Sequence, residues 1–363
     1  MTNKQYWYWL CNIEGIGIKK INALLDYFQK PEHIYHAKEN ELNQIRNLTR
    51  QDKKNLYSKK DPTIIKENYD KLKKSGIYFV TKEEDCYPKR LKNLYDAPVA
   101  LYVKGKLPSE DMTTIAIIGA RNCTNYGKEV AKYFAKELSK EGIQIISGLA
   151  IGIDSYAHLG TLLENGSTYG ILGCGIDICY PEQNIELYMK MQNKGGIISE
   201  YGFGISPRPG NFPMRNRIIS GLSDGILVIE AKEKSGSLIT VDMGLEQGKN
   251  IYAIPGRVTD TLSLGCNNLI KMGAELITNP SEILKDYKKN FDYKRIEFKK
   301  NDNMLESKEK IVYAILSLEP KHFEEIMYAS KLSIHEVMQV LLNLELKNYI
   351  KQVAKNYYVI LIE

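Results

Sequence analysis

Short apolar runs that each end in glycine, separated by stretches of helical periodicity, dominate the middle of this sequence. Ile115-Ala116-Ile117-Ile118 ends in Gly119, and Ile143-Gln144-Ile145-Ile146 ends in Ser147-Gly148. Tyr169-Gly170-Ile171-Leu172 ends in Gly173-Cys174-Gly175, and Ile197-Ile198-Ser199-Glu200 leads to Tyr201-Gly202. The run from Ile226 to Glu230 precedes Ser235-Gly236-Ser237, Ile251-Tyr252-Ala253-Ile254 ends in Pro255-Gly256, and Glu275-Leu276-Ile277 closes the series. Between them, Lys128 to Lys140 reads as an amphipathic helix closed by Gly142, and another helix begins near Asp154. Strands covered on both faces read as continuous apolar runs. Their alternation with helices predicts an α/β fold, a doubly wound parallel sheet of about six or seven strands. Such a sheet binds its ligands just beyond the carboxyl ends of the strands, where nearly every glycine cluster falls.

The flanks have a different texture. Trp7-Tyr8-Trp9-Leu10, the Gly15-Ile16-Gly17 turn, then Ile21, Leu24, Leu25 and Phe28 at helical spacing predict a helix, a tight turn and a helix. In DNA-binding hairpins of this shape the turn offers backbone N–H groups to a phosphate. A packing hairpin with no ligand fits the same residues, because Gly-x-Gly is a weak signal. A connector with prolines at 88, 98 and 108 follows, and the charged run Lys288 to Lys300 reads as a linker. Beyond it, helix patterns at Lys308–Ser317, Phe323–Ala329 and Ile334–Lys347 precede a hairpin turning at Lys355-Asn356, the layout of a winged helix. The expected organisation is a helical domain over 1–84, a Rossmann-like core over 85–285, a linker over 286–307 and a winged helix over 308–363.

With 363 residues, 43% of them hydrophobic, the chain has ample apolar surface to bury, which excludes disorder throughout. No apolar run approaches the roughly 18 residues of a membrane span. Met1 to Leu10 does not read as a secretory signal. The six cysteines are scattered without a CxxC pair, as expected of reduced thiols in a cytoplasmic protein. The net charge of +6 is unevenly placed. The first 80 residues carry 15 basic and 9 acidic side chains, whereas residues 111–285 carry 16 and 18. An anion bound by the core must therefore be held by placed groups rather than by a general field.

Two segments supply such groups. Gly119-Ala120-Arg121-Asn122 joins the first core strand to its helix, where free N–H groups and an arginine fork suit a phosphate. Gly148, and Gly236 with Ser237, end other strands in the same way. The second segment, Asn211-Phe212-Pro213-Met214-Arg215-Asn216-Arg217, puts an aromatic beside two arginines and an asparagine. In a loop with Pro207, Pro209 and Gly210, that suits single-stranded nucleic acid: bases stack on Phe212 while Arg215 and Arg217 take phosphate. An internal role fits too, with Arg215 or Arg217 paired to Glu230 or Asp224. Asp154 and His158 lie four apart on a helix, but neither a third partner nor a nucleophile elbow accompanies them. A capping Asp and a packed His account for the pair, so no catalytic residue, metal or cofactor is expected.

Taken in order, Ile118-Gly119-Ala120-Arg121, Ser147-Gly148-Leu149-Ala150 with Gly152-Ile153-Asp154, and Leu172-Gly173-Cys174-Gly175 with Tyr180-Pro181 resemble the bacterial DNA-processing protein A family (DprA, also called Smf). Pro209-Gly210-Asn211-Phe212-Pro213 with Arg215-Asn216-Arg217, Ser235-Gly236-Ser237 and Gly265-Cys266-Asn267 continue the resemblance over about residues 85–285. It implies a core that binds single-stranded DNA without catalysis, on Gly119, Ala120, Arg121, Asn122, Gly148, Phe212, Arg215, Asn216, Arg217, Gly236 and Ser237. It also implies protection of incoming DNA during natural transformation, help in loading the RecA recombinase, and a homodimer through Leu269, Ile270 and Leu276. Ile151 and Glu182 depart from basic residues often found in the family. One alternative is a phosphoribohydrolase on the same core, but Ser235-Gly236-Ser237-Leu238-Ile239-Thr240 lacks that type's double glycine and glutamate. The other is a duplex-DNA regulator, poorly served by a recognition helix carrying Glu336 and Glu345 beside Lys347.

Overall fold

The computed structural model describes residues 1–287 and 305–361. Six helices open the chain: α1 (Asn3–Cys11), α2 (Ile18–Phe28), α3 (Pro31–His36), α4 (Glu39–Leu42), α5 (Arg50–Ser58) and α6 (Pro62–Lys74). The expected helix, Gly-Ile-Gly turn and helix are α1 and α2. Their apolar stripe, with Trp7, Trp9, Leu10, Ile21 and Leu24, is buried in one cluster with Tyr102, Leu149 and Leu172 of the core.

Then come β1 (Ile77–Thr81), α7 (Lys89–Lys92) and β2 (Ala100–Gly105), followed by the alternating core. Its elements are β3 (Thr114–Ile118), α8 (Asn125–Lys140), β4 (Gln144–Ser147), α9 (Ile153–Leu163), β5 (Thr168–Leu172), α10 (Ile185–Lys194) and β6 (Gly195–Ser199). The second half holds α11 (Asn211–Leu222), β7 (Gly225–Val228), α12 (Gly236–Glu246), β8 (Asn250–Ala253), α13 (Leu264–Lys271), β9 (Glu275–Leu276) and α14 (Pro280–Tyr287).

Among the described residues these strands form one nine-stranded sheet in the order β1-β2-β6-β5-β4-β3-β7-β8-β9. The seven strands from β3 to β9 are parallel, as the sequence predicts. The antiparallel edge is a correction: β2 pairs antiparallel with both β1 and β6. The connector across residues 86–108 therefore contains a sheet strand, and its prolines bracket Ala100–Gly105 instead of breaking it. The sheet also takes strands from both sides of residue 85. Alternate residues of each buried strand point to opposite faces. Ile115 and Ile117 pack with Val130, Phe134 and Ala157, whereas Ala116 and Ile118 pack with Ile218, Ile219 and Val241.

After β3 the chain steps to β4, β5 and β6 on one side, and after β6 it returns to β7, β8 and β9 on the other. The neighbours β3 and β7 are thus the point where connections diverge, which opens a crevice at their carboxyl ends.

The winged helix is present as α15 (Ser307–Ile315), β10 (Lys321–His322), α16 (Phe323–Ser330), α17 (Ile334–Leu346), β11 (Ile350–Ala354) and β12 (Tyr357–Ile360), with β12 between β10 and β11. The hairpin turns at Lys355-Asn356, where Asn356 takes φ 63°. The charged run Lys288–Lys300 lies outside the described residues.

Helices α8 and α9 pack so closely that a Cβ added at Gly160 would run into the carbonyl oxygen of Lys132. A backbone wall cannot yield as a flexible side chain does. Gly160→Ala is therefore expected to cost about 1–3 kcal/mol, read as a lower urea midpoint with an unchanged slope.

Candidate nucleic-acid interface

A groove of about 610 Å3 lies at the crevice between β3 and β7. The loops that follow five neighbouring strands contribute to it: residues 118–122 after β3, Ala150 and Asp154 after β4, Tyr180 after β5, Pro209 with the start of α11 after β6, and Lys232 with residues 234–237 after β7.

The segment Asn211–Arg217 is the first two turns of α11, where the sequence reading has a loop. Pro213 does not prevent this, because the first N–H groups of a helix have no intrahelical acceptor to lose. Helical periodicity then divides the segment. Phe212, Pro213, Arg215 and Asn216 face the groove, while Arg217 does not. Phe212 packs against Tyr180 at 5.6 Å between ring centroids and 34° between planes. The guanidinium of Arg121 lies 5.7 Å from the same ring centroid. Arg121 is exposed and, among the described residues, has no ion-pair partner.

Arg215 is a strut. It is 5% exposed, and its Nη1 donates to the carbonyl oxygens of Gly148, at 2.6 Å, and of Ile171, while Nε donates to Asn216 Oδ1 at 3.2 Å. Burial pushes its pKa down to about 10, against the pull of the nearby Asp154 carboxylate. Asp154 in turn accepts the N–H groups of Gly148, at 3.0 Å, and Ala150, and burial raises its pKa. The expected role of Gly148 as a phosphate cradle is replaced by a packing one: a Cβ there would sit 2.6 Å from Arg215 Nη2.

Arg217 is 2% exposed and donates to both carboxylate oxygens of Glu200, at 2.8 and 2.7 Å, with Asp96 3.2 Å from its Nε. The internal reading of this arginine thus holds, with other partners than expected. Asp224 pairs instead with Arg90 at 3.0 Å. Glu230 accepts from the N–H and hydroxyl of Thr124, the N-cap of α8, and packs against Gly127. A carboxylate thus already occupies the positive end of the helix after Asn122, and the phosphate expected beside Gly119 and Ala120 would meet it there. The backbone of Ala120 is engaged as well, its N–H on the Glu230 carbonyl and its carbonyl on the Ile153 N–H.

The N-terminus of α12 is the opposite case. Its N-cap Ser235 accepts the Ser237 N–H at 3.3 Å, but its first turn holds no acidic residue, and Gly236 and Ser237 border the groove. Asn216 reaches across to the Gly236 carbonyl at 3.4 Å. Lys232 and Lys234 flank this end, exposed and without an ion-pair partner among the described residues. The sequence reading missed both lysines, and also Tyr180. The alternation Lys232-Glu233-Lys234 directly after a core strand was the available signal.

Asp154 and His158 do not form a pair. Asp154 turns to the loop after β4, while His158, fully buried, holds the Thr168 hydroxyl with Nδ1 at 2.6 Å. Among the described residues no cluster of His, Cys, Asp or Glu could hold a metal ion. No helix there is long and apolar enough to cross a membrane. Of the expected dimer positions, Leu269 is buried in its own core, Ile270 is half-buried, and Leu276 is 48% exposed beside Met272 at 75%.

A family profile described as DNA recombination-mediator protein A matches residues 78–288. This chain belongs to that family. A second profile, the DprA winged helix domain, matches residues 299–355. The family's description is one of mediating recombination, a binding role rather than a catalytic one. The DNA processing protein DprA of Streptococcus pneumoniae is 42% identical over 204 residues, covering 56% of this chain and 72% of its own length. Protein Smf of Escherichia coli is 39% identical over 216 residues, covering 59% and 58%. Among solved structures, the S. pneumoniae DprA matches with a TM-score of 0.69 at 33% identity, over 81% of this chain and 99% of its own. A Helicobacter pylori DprA structure described by its single-stranded DNA binding mode matches at 0.53 and 33%, over 58% and 97%.

Burial holds the His158 imidazole neutral, its pKa pushed down to about 3 from 6.5. A folded value below the unfolded one means stability that is present above pH 6.5 and lost as the pH falls, since the unfolded chain takes the proton first. By pH 5 this costs about 2 kcal/mol. His158→Gln should flatten that part of the pH–stability curve, measured by urea unfolding at pH 7 and pH 5.

Proposed function

We propose that this protein binds single-stranded DNA in the groove at the β3–β7 crevice, as a homodimer. There it protects incoming strands and helps load the RecA recombinase during natural transformation. One observation carries the reading: two rings, Tyr180 and Phe212, stand beside cations with no ion-pair partner among the described residues, Arg121, Lys232 and Lys234, and a helix end that holds no acidic residue. Aromatic faces accept any base, and the cations and N–H groups hold the backbone, a combination that tolerates sequence. The family's description as a recombination mediator supports the RecA step. The exposed Leu276 and Met272, next to half-buried Ile270, support a dimer face at the β9 edge.

The groove does not favour the phosphoribohydrolase alternative, because Asp154 holds the loop after β4 and His158, fully buried on Thr168, does not reach the groove. The duplex regulator is disfavoured by α17. Lys347 pairs with the buried Glu309 at 2.7 Å and Glu336 with Lys308 at 2.8 Å, so these charges serve the domain itself. Its outward ridge is Ile334, Met338, Leu342 and Leu346, 55 to 74% exposed, which offers nothing to phosphate or base edges.

A titration with single-stranded and duplex oligonucleotides tests the groove. Single strands should bind clearly tighter, and equal affinities would end the proposal. Arg121→Ala should reduce the salt dependence of single-strand binding by about 0.7 in log–log slope, the share of one phosphate contact. For the dimer, Ile270→Glu should give a folded monomer by light scattering. A chain that unfolds instead assigns Ile270 to the core.

A further inference from the structure

The groove leaves most of the chain's basic excess unused, and a second hollow adjoins it. A cleft of about 840 Å3 opens between the α1–α2 turn and residues 200–217 of the core. The two hollows share a wall. Along residues 208–214, Pro209, Phe212 and Pro213 line the groove, while Arg208 and Met214 line the cleft. The far wall is the Gly15–Lys20 turn, from which the 11-residue helix α2 starts without a side-chain cap and without an acidic residue in its first turn. A Cβ added at its N-cap, Gly17, would meet no atom within 4 Å, so the helix end is open to a ligand.

Three cations line this cleft. Lys19, Lys59 and Arg208 are exposed and, among the described residues, have no ion-pair partner. Beneath them Arg217 is 98% buried by its 2% exposure, and its Nη1 has no hydrogen-bond partner. Two carboxylates also face the cleft: Glu14, and Glu200, which Arg217 holds. Lys20 is occupied by Asp52 at 2.7 Å. The remaining surface suits a base, with the half-buried Tyr201 and the exposed Ile205 and Met214 in the lining. A crevice that merely joined two domains would pair its charges across the gap. Here the cations stay unpaired around an aromatic and an uncapped helix end, much as the groove gathers cations and rings at an acid-free helix end.

We propose that the cleft is a second subsite for the same single strand. The strand leaves the groove over the Arg208–Met214 corner, lays its phosphates on Arg208, Lys19, Lys59 and the α2 N-terminus, and rests a base on Tyr201. This rests on the reading of the groove given above. Once one part of a strand is in the groove, the next part meets the cleft at high effective concentration. The second subsite therefore acts only on strands long enough to reach it.

The full-length chain is titrated with labelled oligothymidylates of about 6 and about 20 nucleotides, which bracket the usual site sizes, at several salt concentrations. Lys19→Ala with Arg208→Ala should lower the salt slope for the long oligonucleotide by about 1.4, two phosphate contacts. At low salt that is a loss of severalfold in affinity for the long strand, with the short strand unchanged. Lys59→Ala, tested alone, should lower the long-strand slope by about 0.7. Unchanged slopes for the long strand in both variants, or equal losses for both strand lengths, overturn the subsite. Arg121→Ala separates the two ideas. If it weakens both lengths while the cleft variants weaken neither, only the subsite fails; if it weakens neither length, the groove reading fails as well.

Discussion

One buried guanidinium holds the candidate binding face together. Arg215 lies under the carboxyl ends of β4 and β5, where strand carbonyls point out of the sheet with no further strand residue to receive them. A buried charge is costly unless it is hydrogen-bonded. Here the carbonyls of Gly148 and Ile171 and the amide of Asn216 satisfy it, and Asp154 ties the same loop from the other side. Fixing Arg215 fixes the rotation of α11. Phe212, three residues earlier, then has to fall on the same face, beside Tyr180 and Arg121. Glycine at 148 leaves room for this strut, and its N–H is already taken by Asp154.

Two helix ends at the same crevice have opposite electrostatics. The α8 end is closed by Thr124 and the Glu230 carboxylate, which sits at the end of β7 and thereby links the two strands that flank the crevice. The α12 end carries no acid and is flanked by Lys232 and Lys234. A backbone phosphate is repelled from the first and attracted to the second. In the proposed binding mode the strand's place in the groove is therefore set toward α12, with Arg121 as the cation that would face it from the β3 side.

Much of this was legible from spacing alone. The seven parallel strands, the glycine-marked ligand side and the winged helix follow from apolar runs and their punctuation, because both faces of those strands are covered by their own helices. The antiparallel edge was not legible, since Ala100–Gly105 sits among prolines and pairs with β6 almost a hundred residues later. The site was legible in part. Phe212 and Arg121 announced themselves as an aromatic and an arginine in turn-rich segments. Arg217 looked equivalent to Arg215, and only the helical phase of α11 separates them, turning one to Glu200 and the other to the groove. Reading Asn211–Arg217 as a loop removed that phase. The two lysines were missed because they alternate with Glu233, which cancels in composition but not in space.

The balance of charge explains why placement matters more than total charge here. Residues 111–285 carry 16 basic and 18 acidic side chains, so from a distance the core does not attract a polyanion. At ordinary salt, charges are screened beyond about 8–10 Å. What a strand in the proposed groove would meet within that range is Arg121, Lys232, Lys234 and the α12 end, while Glu230 stays with Thr124 at the α8 end. Long-range attraction has to come from the first 80 residues, with 15 basic against 9 acidic side chains. The helical domain packs on the core through one continuous apolar cluster, so that charge is carried at a fixed position beside the binding face and not on a loose tail. In the proposed function attraction and grip are thus divided between two parts of the chain, and the apolar contact between them would let the first serve the second.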